Sequence, residues 1–285
     1  MSRIQVRDTT IHYEQAGAGR PLLFVHGMCG DARVWQGQLD RLSGYFRCVA
    51  YDRRGHSRSG RGTEPESTET HAADAAALIE ALGLVDPVVV GSSGGARIAV
   101  ELARTRPDLL AGAVFAEPPI MSLAEEAGQA LLDMVSSAVR PAAESGGPAA
   151  VDAFFTAVCP GLWSTLEEAR KDRYRANAPM MMAELTGPAY PLTTTEARAI
   201  TLPCLVMAGT TSHPALRAIA VALANALPRA RLLTVDGSGH VIYAERPDEF
   251  AAAVAAFATE LALVRDPRRE VGWGLHGRDS GIAPR

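Results

Sequence analysis

The sequence predicts an α/β fold, a mostly parallel central sheet covered by helices on both faces. Three observations predict it. Short apolar runs end in glycine or turn residues and alternate with stretches of helical spacing, the pattern of βαβ units. Those runs, such as PLLFV at 21–25 and VVV at 88–90, are apolar throughout, as strands buried on both faces must be. The chain of 285 residues, 47% hydrophobic and 21% charged, has apolar material for one large α/β domain or two small ones.

Taken in order, residues 4–15 (IQVRDTTIHYEQ) read as two short strands joined by a turn, an antiparallel edge. PLLFVHG at 21–27 is a strand ending in glycine. A helix is expected over 31–43, with Asp31 as its N-cap and Val34, Trp35, Leu39 and Leu42 on one face. RCVAYD at 47–52 is a buried strand followed by the turn-rich RRGHSRSGRG. Residues 67–82 return to helical spacing with Ala73, Ala77, Leu78 and Leu82 inward, and Gly83 ends that run. Next come strand 88–91, helix 94–106, strands 110–116 and 202–208, helix 214–227, strand 231–235 and helix 247–264.

Residues 119–200 break the rhythm. They hold no convincing strand but several helical stretches, punctuated by Pro141, Gly146, Gly147, Pro148, Pro160 and Pro188. An insertion of this size between two sheet strands is expected to form a helical lid over their C-terminal ends. Its Phe154, Phe155, Trp163 and the run Met180, Met181, Met182 would line an apolar cavity or, alternatively, form the lid's own small core. The expected organisation is therefore a core of 1–118 and 201–265, a lid of 119–200, and a tail of 266–285. The tail, rich in glycine, proline and charge, reads as poorly ordered or draped over the surface, with Trp273 its one anchor.

A net charge of −4 gives no electrostatic case for nucleic acid or an anionic membrane as partner. Cys29, Cys48, Cys159 and Cys204 show no C-x-x-C pair and no metal-like spacing, so they read as buried, reduced thiols. The N-terminus alternates like a strand and lacks the apolar centre of a signal peptide, and no apolar run is long enough to span a bilayer. These features lead us to expect a soluble cytoplasmic protein; a homo-oligomer stays open.

The chemistry starts in VVVGSSGGARIA at 88–99. Gly91-Ser92-Ser93-Gly94-Gly95 fits G-x-S-x-G between a strand and a helix, the setting of a nucleophile elbow. The turn is too tight for side chains two residues before or after its apex. Ser93 at the apex puts Gly91 and Gly95 there, whereas Ser92 would put the β-branched Val90 there. Ser93 is the predicted nucleophile. An innocent glycine-rich connection is the bland alternative, but a dinucleotide site wants G-x-G-x-x-G in the first βα unit.

A nucleophilic serine needs N–H donors for the developing oxyanion, one after the nucleophile and one from an earlier strand-to-helix loop. Gly94 supplies the first. In FVHGMCGDARVW, Met28 is the candidate for the second, with Gly27 allowing the turn and His26 shaping the loop. His240, in LLTVDGSGHVIYAERPDEF, follows a late strand, where the order nucleophile, acid, histidine requires it. The competing His12, His56, His71 and His276 fall on a presumed edge, turn, helix surface and tail, and His213 comes too early.

Together VHGMCG, YDRRGHSRSG, VVGSSGGA and DGSGHVIYAERPDEF resemble the α/β-hydrolase superfamily over residues 4–264. The resemblance implies the α/β-hydrolase fold, with the helical lid inserted before the penultimate core strand. It also implies an acid, which in much of that superfamily follows the strand after the lid in a G-x-x-D-like segment. Here that segment is GTTS, and Ser212 stands where the acid is expected. A serine cannot carry the charge that orients the histidine. The other suitable place is the end of the strand before the lid, LAGAVFAEPPI, where Glu117 lies at the C-terminal mouth of the sheet. Certain haloalkane dehalogenases and the fungal zearalenone lactonases carry their acid there, and the H-E-L-P segment of the lactonases resembles Ala116-Glu117-Pro118-Pro119. A rim carboxylate paired with arginine is the plainer reading of Glu117. Asp236 is a distant second as acid, and Asp52 reads as an organiser of its loop.

The expected activity is a cofactor-free, metal-free serine hydrolase acting on a hydrophobic ester or lactone, with Ser93, Glu117 and His240 as the triad. Cofactor-free perhydrolysis or carbon–carbon bond hydrolysis is the enzymatic rival. A ligand-binding protein that lost catalysis, which Ser212 would explain, is the rival of another class.

Overall fold

Alternation along the apolar strands sets the architecture. The computed structural model describes residues 2–264; the reading of 266–285 lies outside them. Leu22 and Phe24 pack on one face of the sheet and Leu23 and Val25 on the other, all four with no exposed surface. A strand apolar on both faces needs cover on both.

Eight strands make the sheet: β1 (Ser2–Val6), β2 (Thr9–Ala16), β3 (Arg20–Val25), β4 (Phe46–Tyr51), β5 (Val88–Ser92), β6 (Gly112–Ala116), β7 (Cys204–Gly209) and β8 (Ala230–Val235). Their spatial order is β1-β2-β4-β3-β5-β6-β7-β8. Pairs β1–β2 and β2–β4 are antiparallel, and every pair from β4 to β8 is parallel. The antiparallel edge is therefore at the N-terminus, as expected. The chain turns outward in opposite directions after β3 and after β5, so these neighbours mark the topological switch point, where ligands bind in open α/β sheets.

The helices are α1 (Gln36–Leu42), α2 (Thr68–Ala81), α3 (Gly94–Thr105), α4 (Glu125–Ala143), α5 (Gly147–Val158), α6 (Pro160–Thr165), α7 (Glu168–Arg175), α8 (Ala178–Thr186), α9 (Thr194–Arg198), α10 (Pro214–Ala226), α11 (Ile242–Glu245) and α12 (Pro247–Val264). Trp35, Leu39 and Leu42 join Phe250, Val254 and Phe257 of α12 on one face. Helices α2, α3 and α10 cover the other, in a core that continues into α4, α5 and α8. Helices α4 to α9 fill the connection between β6 and β7, where the sequence shows no strand. No helix among the described residues is long and apolar enough to cross a membrane.

Two local expectations change. The helix after Asp31 opens as a 3-10 turn, Ala32–Trp35, before α1 begins. Asp31 does cap it, accepting from Arg33 N at 2.9 Å. In α2 the buried residues include Ala72, Ala75, Ala76, Leu78 and Ile79, while Ala73, Ala77 and Leu82 are half-buried. A polar contact explains the rotation: Asp74 turns inward to accept from Arg54 Nε and Nη2 at 2.6 and 2.8 Å.

Candidate active site

Ser93 links β5 to α3 with φ 54° and ψ −125°, a conformation L-residues rarely adopt. Its neighbours explain how the turn is tolerated. A Cβ on Gly91 would lie 2.2 Å from Gly95 O, and one on Gly95 would lie 2.1 Å from Val25 O. Both positions exclude any side chain. Ser92, by contrast, remains in the ladder opposite Ala116. The elbow is further pinned by Ser93 N donating to Ala116 O at 2.9 Å.

His240 follows β8 and faces this serine, with Nε2 3.0 Å from Ser93 Oγ. Its other nitrogen, Nδ1, lies 3.3 Å from Glu117 Oε2, the long end of a hydrogen bond. Glu117 directly follows β6, at φ 53°, and is fully buried. Its Oε1 accepts from Gly209 N at 2.7 Å and its Oε2 from Ser212 Oγ at 2.6 Å. The plainer reading of Glu117, a rim carboxylate paired with arginine, does not match these partners. With Nδ1–H directed at the carboxylate, Nε2 is the acceptor that faces the serine hydroxyl. The sequence pointed to Ser212 only as a missing acid; its contact with Glu117 was not anticipated.

The loop after β3 packs against the elbow. A Cβ on Gly27 would sit 3.1 Å from Ser93 Cβ, so this glycine admits the close approach. A Cβ on Gly94 would sit 3.7 Å from Met28 N, so these two residues adjoin. Gly94 is the first residue of α3, where an N–H has no carbonyl one turn back. His26 is an organiser of the loop: Nδ1 meets Gly27 O at 2.8 Å and Nε2 accepts from Arg53 N at 3.0 Å. Burial, with the Arg53 charge beside it, pulls its pKa down to about 4 and keeps it neutral. Asp52 ties the same loops together, accepting from Ala32 N at 2.8 Å and Arg58 N at 3.0 Å.

Two cavities meet at Ser93 and His240. One of about 40 Å³ is lined by Phe154, Phe155, Trp163, Tyr174 and Tyr243, with the Phe155 and Trp163 rings stacked at 4.6 Å. The other, about 250 Å³, is walled by Met121, Leu131, Val135 and Leu185 and also reaches Phe154, Arg97 and Glu184. Met28 borders both.

Met181 must be corrected. It is fully buried in the core and lines neither cavity, because its side of α8 faces the body of the protein. Of the competing histidines, His71 is not on a helix surface but buried beside Glu66 at 2.9 Å. His12 and His56 are buried as well, and His213 caps α10; His276 lies outside the described residues. Asp236 accepts from Thr210 Oγ1 at 3.2 Å.

A charge cluster that sequence reasoning missed lies against the elbow and the loop after β3. Glu184 of α8 pairs with Arg53 and, at 3.3 Å, with Arg97 of α3. Burial opposes ionisation of Glu184, but the Arg53 and Arg97 guanidiniums hold its carboxyl below the ordinary range. The available signal was an arginine one helical turn past the elbow, half-buried on α3.

Fold and site together define a class: an α/β protein with a strained elbow serine at the sheet's switch point. Residues 22–253 match the alpha/beta hydrolase family, and the chain belongs to it. A non-heme haloperoxidase of Rhodococcus erythropolis is 43% identical over 118 residues, 40% of this chain and 43% of that protein. The chain thus matches less than half the length of such curated relatives. Among solved structures, an alpha/beta hydrolase of Sphaerobacter thermophilus is 28% identical with a TM-score of 0.70, covering 90% of this chain and 100% of that one. Est816, described as an N-acyl homoserine lactone degrading enzyme, has 25% identity and the same TM-score and coverages.

Proposed function

We propose that the protein is a serine hydrolase that cleaves a carboxylic ester or lactone through an acyl-enzyme. One observation carries the reading: Ser93 Oγ, His240 and Glu117 form an unbroken chain, 3.0 Å at one link and 3.3 Å at the other. His240 takes the Ser93 proton as Oγ adds to the carbonyl carbon, and Glu117 orients the ring and stabilises its cationic form. The Met28 and Gly94 N–H groups receive the oxyanion. The leaving alcohol takes the proton from His240, and water activated by the same nitrogen releases the acid and restores Ser93.

In this reading the helices of 119–200 act as a lid, and Phe154, Phe155 and Trp163 hold an apolar part of the substrate. The lactone option is supported by the likeness to Est816. Four unpaired, buried cysteines fit a reducing compartment such as the cytoplasm.

A fluorophosphonate probe is expected to label the wild type and not Ser93→Ala, and a screen of aryl esters, aliphatic esters and lactones to find turnover. Equal labelling of both proteins, or of neither, rejects the assignment; neither would favour a binding protein.

A second reading, perhydrolysis, is favoured by the haloperoxidase match. Hydrogen peroxide would replace water in attacking the acyl-enzyme, giving a peracid and free Ser93. Peracid formation from acetate and peroxide, lost in Ser93→Ala, separates it from simple hydrolysis.

A further inference from the structure

We propose that the larger cavity is an anion subsite: it seats an acyl group whose far end is a carboxylate, held by Arg97 beside the scissile carbonyl. The proposal rests on the hydrolase reading for the words acyl and scissile, and on the charge cluster alone for the anion.

Most of the cavity wall is aliphatic, from Met121, Leu131, Val135 and Leu185. Arg97 and Glu184 interrupt it. Glu184 is 5% exposed and uses both oxygens, Oε1 on Arg53 Nη2 and Oε2 on Arg97 Nη2. Each oxygen is already engaged by one guanidinium. Arg53 has no exposed side-chain surface, yet its Nε and Nη1 have no hydrogen-bond partner among the described residues, and neither has Arg97 Nε. Guanidinium nitrogens only donate, and buried donors without partners are costly. Whatever completes this cluster must accept hydrogen bonds.

Charge narrows the choice. Two guanidiniums share one carboxylate in direct contact, so a second anion is favoured over a neutral carbonyl. A planar carboxylate suits the arginine fork, whereas a phosphate dianion would bring a further charge against Glu184. Position narrows it again. A Cβ on Gly94 would lie 3.6 Å from both Arg53 Nη1 and Glu184 Oε2, and 3.7 Å from Met28 N. The cluster therefore borders the proposed oxyanion donors, and a short aliphatic chain joins the two groups. The matching substrates are half-esters of short dicarboxylic acids and lactones with a carboxylate arm. The expected hydrophobic ester is thereby refined to one that is apolar along its length and anionic at its end.

The test compares two near-isosteric esters, ethyl hydrogen succinate and ethyl 4-methylpentanoate, in the wild type and Arg97→Met. In the wild type kcat/KM is expected to favour the hemisuccinate, and Arg97→Met to shift the ratio about 10- to 100-fold toward the neutral ester. Arg97→Lys, which keeps the charge without the fork, should fall between and covers the case that Arg97→Met does not fold. An unchanged ratio overturns the proposal and leaves Arg97 as a support for Glu184. Should neither ester turn over, calorimetry of succinate with the Ser93→Ala protein decides separately. Binding that is lost in Ser93→Ala/Arg97→Lys or Ser93→Ala/Arg97→Met upholds the anion subsite while the hydrolase reading fails; no binding overturns it.

Discussion

Ser212 Oγ donates a 2.6 Å hydrogen bond to Glu117 Oε2, the oxygen that also faces His240 Nδ1 at 3.3 Å. The residue standing where many α/β-hydrolases carry an acid thus touches the carboxylate that reaches in from the neighbouring strand. β6 and β7 are adjacent and parallel, so groups at their ends converge on the same histidine.

On the proposed assignment of Glu117 as the acid, this geometry makes that carboxylate relocatable. Glu117→Gln keeps the shape of the side chain but loses its charge, and kcat should fall about 10³- to 10⁴-fold by analogy with loss of a triad carboxylate. Adding Ser212→Asp to that variant places a carboxylate beside the same imidazole and should recover part of the loss. Steady-state kinetics on any ester the wild type hydrolyses checks both. Near-normal turnover of Glu117→Gln would sink the assignment of the acid.

Ser212 itself acts through Glu117. Ser212→Ala removes one of the two donors other than His240 that fix the carboxylate, and kcat should drop about 10-fold, the scale of one buried hydrogen bond to a charged group. Because Ser212 lines neither cavity, KM should hold steady, and Ser212→Thr should restore kcat. A fall in kcat/KM carried by KM alone would assign Ser212 to substrate binding instead.

The elbow yields a folding prediction. A methyl on Gly95 would meet Val25 O at 2.1 Å and His26 O at 2.7 Å, backbone atoms that cannot step aside. Gly95→Ala should therefore cost more than about 3 kcal/mol, in the range of severe overpacking, and give little soluble protein. Gly44→Ala, with nothing within 4 Å of the added methyl, is the control expected to melt within a few degrees of the wild type. A Gly95→Ala protein as stable as that control would contradict the packing of the elbow against β3.

Much of this was legible in the sequence, for identifiable reasons. The positions of β3 to β7 followed from runs apolar on both faces, and the choice of Ser93 over Ser92 from sterics local to five residues. Glu117 was singled out because Ser212 stands where the resemblance places an acid, and a charged residue at the end of an apolar strand has few packing roles. What escaped detection depends on long-range contacts. The Ser212–Glu117 bond joins residues 95 apart, and the Arg53–Glu184 pair joins residues 131 apart. Met181 was misjudged because an apolar run on a short helix does not say which side meets the cavity. The inward turn of Asp74 in α2 required knowing that Arg54 would be buried beside it.

The buried histidines are expected to weaken the fold as the pH falls, against a smaller opposing contribution from Glu66, whose carboxyl pKa is pushed up by burial. Burial and the neighbouring Arg53 charge draw the His26 pKa down to about 4, against about 6.5 in an unfolded chain. Between those values the unfolded chain binds a proton that the native protein refuses. Stability from this group is complete above pH 6.5 and is lost progressively as the pH falls toward 4. At about 1.4 kcal/mol per pKa unit, His26 alone accounts for a loss of roughly 3 kcal/mol over the window. His56 and His71 are shifted the same way, with burial again the leading cause, and steepen the fall. Glu184, held below its ordinary range, acts only at lower pH. Urea unfolding at pH 7.0 and 5.0 reads the effect directly: the midpoint should drop at pH 5.0. Equal midpoints would mean that these histidines are protonated in the native protein, and that the neutral His26 acceptor for Arg53 N is wrong.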